Sequence, residues 1–248
     1  PHRPGWLRED QSQSHQSLMS LSPPNKESSI AKDTVIIFSL TLASNLIALF
    51  RESIFASMFG AGVVADAYVL AFSVCSSIFL LVSSGNISFA FIPKIQSLSS
   101  GKSQNYYYSS VLLFTFAVSL LISFCILLYP SYIIAFIAPG LSAAELHATT
   151  RVLSSISFVI LFSTLGAVFQ ASLNSRLVFG YPAAIPFISN LLFVLTLIFL
   201  DLPPIDLVIV ACNISFIVWL LLFIPSTRLF KLDSSVFLQF EKTEEYVS

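Results

Sequence analysis

The chain has 248 residues, 56% of them hydrophobic and 10% charged, with a formal net charge of −1. So low a charged fraction, against the ~25% usual in globular domains, and a mean hydropathy of +0.86 exclude an ordinary water-soluble fold and indicate an integral membrane protein. The oiliness is carried by bulky side chains, with 24 Phe against 8 Gly, and no nucleic-acid partner is expected.

Residues 1–29 are polar and rich in Ser, Gln and Pro, without a helical period or the apolar core of a signal peptide, so a disordered cytoplasmic tail is expected. From Thr34 onward, apolar runs alternate with short polar punctuation, and each run is long enough to cross a hydrocarbon layer of about 30 Å as a helix. The predicted spans are 34–58, 66–92, 107–129, 148–172, 182–200 and 205–225. Lipid offers unpaired backbone amides no partner, and no strand pattern competes. The predicted fold class is therefore all-α: a polytopic six-helix transmembrane bundle over 30–228, followed by a polar tail over 229–248.

The first span holds Arg51 and Glu52 side by side in apolar sequence. A charge near the centre of a membrane helix costs about 2.5–3.5 kcal/mol, whereas each strongly apolar residue returns only about 0.3–0.6 kcal/mol. Both charges are therefore expected to face a bundle interior or an aqueous cavity. Thr41, Ser44, Asn45, Ala48, Arg51 and Glu52 recur at helical spacing as one polar and small stripe. That stripe fits either a close helix–helix contact or the wall of a hydrated pathway in which Arg51 binds an anion.

Asp66 opens the second span after Phe-Gly-Ala-Gly, where a carboxylate caps a helix N-terminus and suits its dipole. Ser73, Ser76, Ser77, Ser83 and Ser84 form a weaker polar stripe beyond it, interrupted by Leu80. Pro130 ends the third span, and residues 131–138, too few to cross, are expected as an interfacial half-helix before Pro139-Gly140. The fourth span carries Ser163, Gly166, Gln170 and Asn174, expected on one face, and the fifth carries Pro186 with Asn190 one turn later. Pro186 frees the carbonyl four residues back, at Pro182, and bends the helix.

Positive charge sets the orientation. Lys26 and Lys32 precede the first span, Lys94 and Lys102 follow the second, Arg176 follows the fourth, and Arg228 and Lys231 follow the sixth. The loops 60–65 and 201–204 contain neither Lys nor Arg, and Arg151 alone breaks the pattern. Both termini are expected on the cytoplasmic side. Cys75, Cys125 and Cys212 each fall in a different apolar run without metal-type spacing, and His2, His15 and His147 are scattered. The sequence lacks a phosphate-binding Gly-rich loop, a His-Glu-x-x-His and a nucleophile–base–acid set, so neither an enzyme nor a cofactor is expected, and any transport must draw on gradients or a partner.

Leu49-Phe50-Arg51-Glu52, Phe59-Gly60-Ala61-Gly62, Asp66-Ala67-Tyr68 and Ala90-Phe91-Ile92-Pro93 follow one another in an order that resembles the opening of the MurJ/MviN family. Ala138-Pro139-Gly140 and the Gln170-x-x-x-Asn174 segment fit it too, so the resemblance covers about residues 30–225. It implies one lobe of a two-lobed exporter that flips lipid II, a lipid-linked peptidoglycan precursor, across the bacterial inner membrane by alternating access around a cationic cavity. In that picture Arg51 holds the diphosphate, Glu52 orients or neutralises it, and Asp66 sits near the periplasmic gate; Ser44 and Asn45, from the polar stripe, are added to the expected substrate-binding set. The implied partners are a lipid-linked diphosphate saccharide and membrane lipid. The sequence departs from the family where Asn45 stands in place of an arginine, Phe79-Leu80 in place of an Arg-Arg pair and Ser84 in place of a glutamate. These departures keep open a flippase for another lipid-linked polysaccharide intermediate, or a non-transporting assembly half. Family members have about fourteen helices, so transport would need a self-dimer or a separately encoded second lobe.

Overall fold

The structure, a computed structural model, describes residues 24–83 and 86–225. Among the described residues the chain forms α1 (Pro24–Phe59), α2 (Val63–Ser83), α3 (Asn86–Ser97), α4 (Gly101–Leu128), α5 (Pro130–Ile137), α6 (Ala143–Ile156), α7 (Val159–Ser175), α8 (Gly180–Phe199) and α9 (Pro204–Phe223), with no strand. Of the polar stretch expected over 1–29, residues 1–23 lie outside the described residues and α1 takes up the remainder. The tail over 229–248 also lies outside them.

Among the described residues six stretches are long and apolar enough to cross a membrane: Thr34–Phe59, Val63–Ser97, Gly101–Leu128, Ala143–Ser175, Gly180–Phe199 and Pro204–Phe223. They are the six read from the sequence, five of them starting one to six residues earlier and three ending one or two residues sooner. The extra turns come from capping chemistry that hydropathy does not register. Ser100 accepts a hydrogen bond from the Ser103 amide at 3.1 Å and starts α4 six residues before its apolar run. Ser142 and Glu145 form a reciprocal capping box that starts α6 at Ala143, five residues ahead of expectation. Gly60, at φ 56°, turns the chain out of α1 in the left-handed conformation that glycine takes without a Cβ clash.

α8 and α6–α7 organise the bundle. α8 packs between α1 and α9; α6 packs on α2 and α5, and α7 packs on α3, α4 and α9. Two apolar clusters result. One gathers Phe55, Ala71, Ile126, Val152, Phe193 and Val208 near one end of the bundle. The other gathers Phe91, Tyr108, Val168, Ile185 and Phe223 near the opposite end. The expected half-helix is α5, anchored by the fully buried Ile134 while Tyr132 and Phe136 stay exposed.

Polar contacts agree with the alternation of the spans. Arg176 donates to Gln104 at 3.1 Å, which brings the α7–α8 turn beside the α3–α4 turn with Lys94 and Lys102. At the other end Arg151, the exception to the charge pattern, donates to the Asp206 carboxylate at 2.5 Å. Its charge is paired there.

Candidate functional site

Arg51 lies on the side of α1 that packs against α8. Its guanidinium donates to the Asn190 side-chain oxygen at 2.9 Å and to the Glu52 carboxylate, and stands 5.2 Å from the centre of the Phe193 ring. The cation thus has a hydrogen-bonding amide, a counter-charge and an aromatic face, each of which lowers the cost of holding it in an apolar setting. A guanidinium has more donors than these two contacts use.

Beside it is a cavity of about 150 Å³ lined by Arg51, Tyr68, Asn190, Phe193, Phe216 and Trp219, with Pro186, Ser189 and Ser215 completing the wall. The two serine hydroxyls are spent on their own helices, Ser189 on the Ile185 carbonyl at 3.2 Å and Ser215 on the Ala211 carbonyl at 2.7 Å. Arg51 and Asn190, with the phenol of Tyr68, therefore give the cavity its polarity. Phe216 packs on one apolar cluster and Trp219 on the other, so the cavity lies between the two, at mid-depth.

The sequence-predicted set divides. Ser44 is buried in the α1–α8 seam, where its hydroxyl donates to the Leu40 carbonyl at 2.8 Å and across to the Ala183 carbonyl at 3.1 Å. It fastens helices and does not line the cavity. Glu52 does not line this cavity: its side chain is 58% exposed in the lobe, against 21% for Arg51. Neighbouring helix residues point about 100° apart, so a single stripe cannot carry both to one face. What the sequence presents as one stripe is two adjacent ones. Ser44 and Arg51 face α8, while Thr41, Asn45 and Glu52 face outward. Asp66 is exposed in the first turn of α2 and does not line the cavity.

Pro186 and Asn190 both line the cavity. Of the second-span serines, Ser73, Ser76 and Ser77 do not line it, and Ser84 lies outside the described residues. Ser73 and Ser77 are exposed, and Tyr68, Phe72, Cys75, Ser76 and Phe79 face inward instead. Of the fourth-span residues, Ser163 and Gly166 are buried and Gln170 is exposed. Sequence reasoning missed Trp219. The available signal was Gly166: a Cβ built there would lie 1.8 Å from the indole, so the glycine is a notch cut for that ring.

The comparisons with known proteins agree with one another. The family described as "Lipid II flippase MurJ" matches residues 55–244. The chain belongs to this family. It is 27% identical over 216 residues to the "Probable lipid II flippase MurJ" of Buchnera aphidicola subsp. Schizaphis graminum (strain Sg), covering 84% of this chain and 42% of that protein. It is 31% identical over 157 residues to the "Lipid II flippase MurJ" of Thermosipho africanus (strain TCF52B), covering 63% of this chain and 33% of that one. A solved structure titled "Lipid II flippase MurJ, inward closed conformation" superposes with a TM-score of 0.72 at 25% identity, covering 84% of this chain and 45% of its own. The chain thus spans less than half the length of the MurJ relatives it matches, and the family resemblance read from the motifs holds.

Proposed function

We propose that this chain forms a first lobe of a flippase that moves a lipid-linked diphosphate saccharide, lipid II or a close analogue, across the bacterial inner membrane, and that Arg51 binds the diphosphate. The supporting observation is the guanidinium itself, half-buried at a mid-depth cavity and braced by Asn190 and Phe193. A fork of donors suits the oxygens of a diphosphate. Glu52 tempers the charge of Arg51 in the empty state. Asn45, on the same outward face as Glu52, and Asp66, at the start of α2, are assigned to the part of the pathway completed by a second lobe. That lobe is supplied by further chain, a separately encoded partner or a second copy. Ser44 contributes by holding α1 to α8. The turns bearing Lys94, Lys102 and Arg176 are assigned to the cytoplasm, which puts both termini there and the Arg151–Asp206 pair outside.

The test is binding of a diphosphate lipid, and flipping by the completed transporter in reconstituted vesicles. Arg51→Ala is expected to weaken binding by about 10- to 100-fold, the worth of a hydrogen bond to a charged group, and to abolish flipping, with Arg51→Lys intermediate. Unchanged binding in Arg51→Ala would end the assignment. A different lipid-linked saccharide is favoured by one observation: Phe79 and Leu80 stand where the family resemblance implies paired arginines, and both line an apolar cavity.

A further inference from the structure

The fourth span is long enough to cross in one piece, and Ala143–Ser175 contains no proline; its single glycine, Gly166, lies well inside α7. Yet the helix is interrupted at Ser157 and Phe158, between α6 and α7. The local cause is the run Ser154-Ser155-Ile156-Ser157. The fully buried Ser157 donates its hydroxyl to the Ser154 carbonyl at 2.9 Å, the same carbonyl that its amide reaches at 3.4 Å. The Ile160 amide likewise donates only three residues back, to the Ser157 carbonyl at 3.4 Å. Hydroxyls that compete for ladder carbonyls bend helices.

Lipid cannot replace the bonds lost in such a break, so the carbonyls it turns out must find partners within the protein. They find them on neighbouring helices. Asn213 of α9 donates its side-chain amide to the Ser155 carbonyl at 3.1 Å and to its own Ile209 carbonyl at 2.9 Å, and the Cys75 thiol of α2 leans on the Ile156 carbonyl at 3.9 Å. With both amide hydrogens engaged, the Asn213 side chain is held in one orientation.

The two halves of the span answer to different neighbours: α6 packs chiefly on α2 and α5, α7 chiefly on α3 and α4. Alongside the break runs α9, uninterrupted from Pro204 to Phe223. On the α6 side its Asp206 pairs with Arg151 and its Asn213 holds Ser155; on the α7 side its Trp219 ring fills the notch at Gly166. It is fastened to both halves, as a splint is fastened across a fracture.

We propose that the break at Ser157 and Phe158 is a hinge within the lobe, and that Asn213 is the positioning residue that locks it. With the lock made, α6 and α7 move as one scaffold. With it broken, α7, carrying α3 and α4, swings against α6, carrying α2 and α5, so the lobe has a joint of its own besides any rocking of one lobe on another. The inference is independent of Arg51 and of what Arg51 binds.

Hydrogen–deuterium exchange of the full chain in phosphatidylcholine nanodiscs tests the lock, since backbone amides report local opening. Asn213→Leu, which removes the donor at similar volume, is expected to speed exchange of the amides of residues 157–161 by about fivefold, roughly the worth of one hydrogen bond. α4 and α8 should exchange as in wild type, and the melting temperature should scarcely move. Asn213→Ala removes the same donor at smaller volume and should act alike, which guards against misfolding of either variant. Adding Ser157→Ala takes away the competing hydroxyl, lets the four-residue ladder close across the break, and should return exchange to near the wild-type rate. Unchanged exchange in both Asn213 variants removes the lock, a rise shared by α4 and α8 marks general loosening, and a rise that survives Ser157→Ala undiminished puts the joint elsewhere; each of these overturns the proposal.

Discussion

The first and fourth spans have similar hydropathy and opposite surroundings. Thr34–Phe59 has 6% of its most apolar window buried within the lobe, against 67% for Ala143–Ser175. The fourth span is scaffold, touched by helices on several sides. The first is held almost wholly by α8 and leaves Leu42, Leu46, Leu49 and Phe50 exposed. Oiliness alone thus says that a segment belongs in a bilayer and nothing about whether lipid or protein solvates it. The ion pair sits on the sparsely covered helix, which fits a position at the edge of a cavity, whereas buried glycine and serine sit on the covered one.

Substitutions should divide along the same line. The largest effect is expected at the scaffold: Gly166→Leu would drive a side chain into the Trp219 ring, costing about 3 kcal/mol or more and sharply reducing the yield of folded protein by size-exclusion chromatography. At the edge, Asn190→Leu would leave the fold intact and remove the acceptor that positions Arg51. Diphosphate affinity should fall by about 3- to 10-fold with little change in melting temperature, a split that mere destabilisation would not give. The smallest effect is expected at Ser142, whose replacement by Ala removes the capping box of α6 and should cost about 1 kcal/mol, read as a lower melting temperature with diphosphate binding unchanged. If Asn190→Leu instead collapsed the protein as Gly166→Leu does, the distinction between scaffold and edge would be lost.

The fold was largely legible because the bilayer imposes one rule, that each crossing segment be long, apolar and internally hydrogen-bonded. Span ends were less so, since Ser100 and Ser142 start helices through local capping in polar sequence. The site was half legible. Arg51 announced itself because charge is expensive in that setting, whereas Asn190 was noted beside a helix-bending proline without being placed in the site. Trp219 and Phe216 gave no comparable signal, as aromatic residues in an apolar run read as lipid-facing unless the partner is known. Glu52 lies outside the Arg51 cavity for a geometric reason: sequence adjacency carries two residues into one neighbourhood but not onto one helix face.

The fastenings between α1 and α8 hold a further lesson. Ser44 reaches Ala183 and Arg51 reaches Asn190, and both contacts join residues 139 apart in sequence. A constant offset means that the two helices run in the same direction, and the step from 44 to 51 is matched by that from 183 to 190, about two helical turns in each. Two rivets at one heptad spacing resist both sliding and twisting. α1 and α8 should therefore travel as a single plank that carries the guanidinium, its amide brace and the Phe193 ring together, leaving the aromatic flank on α9 as the side against which the Arg51 cavity widens or narrows.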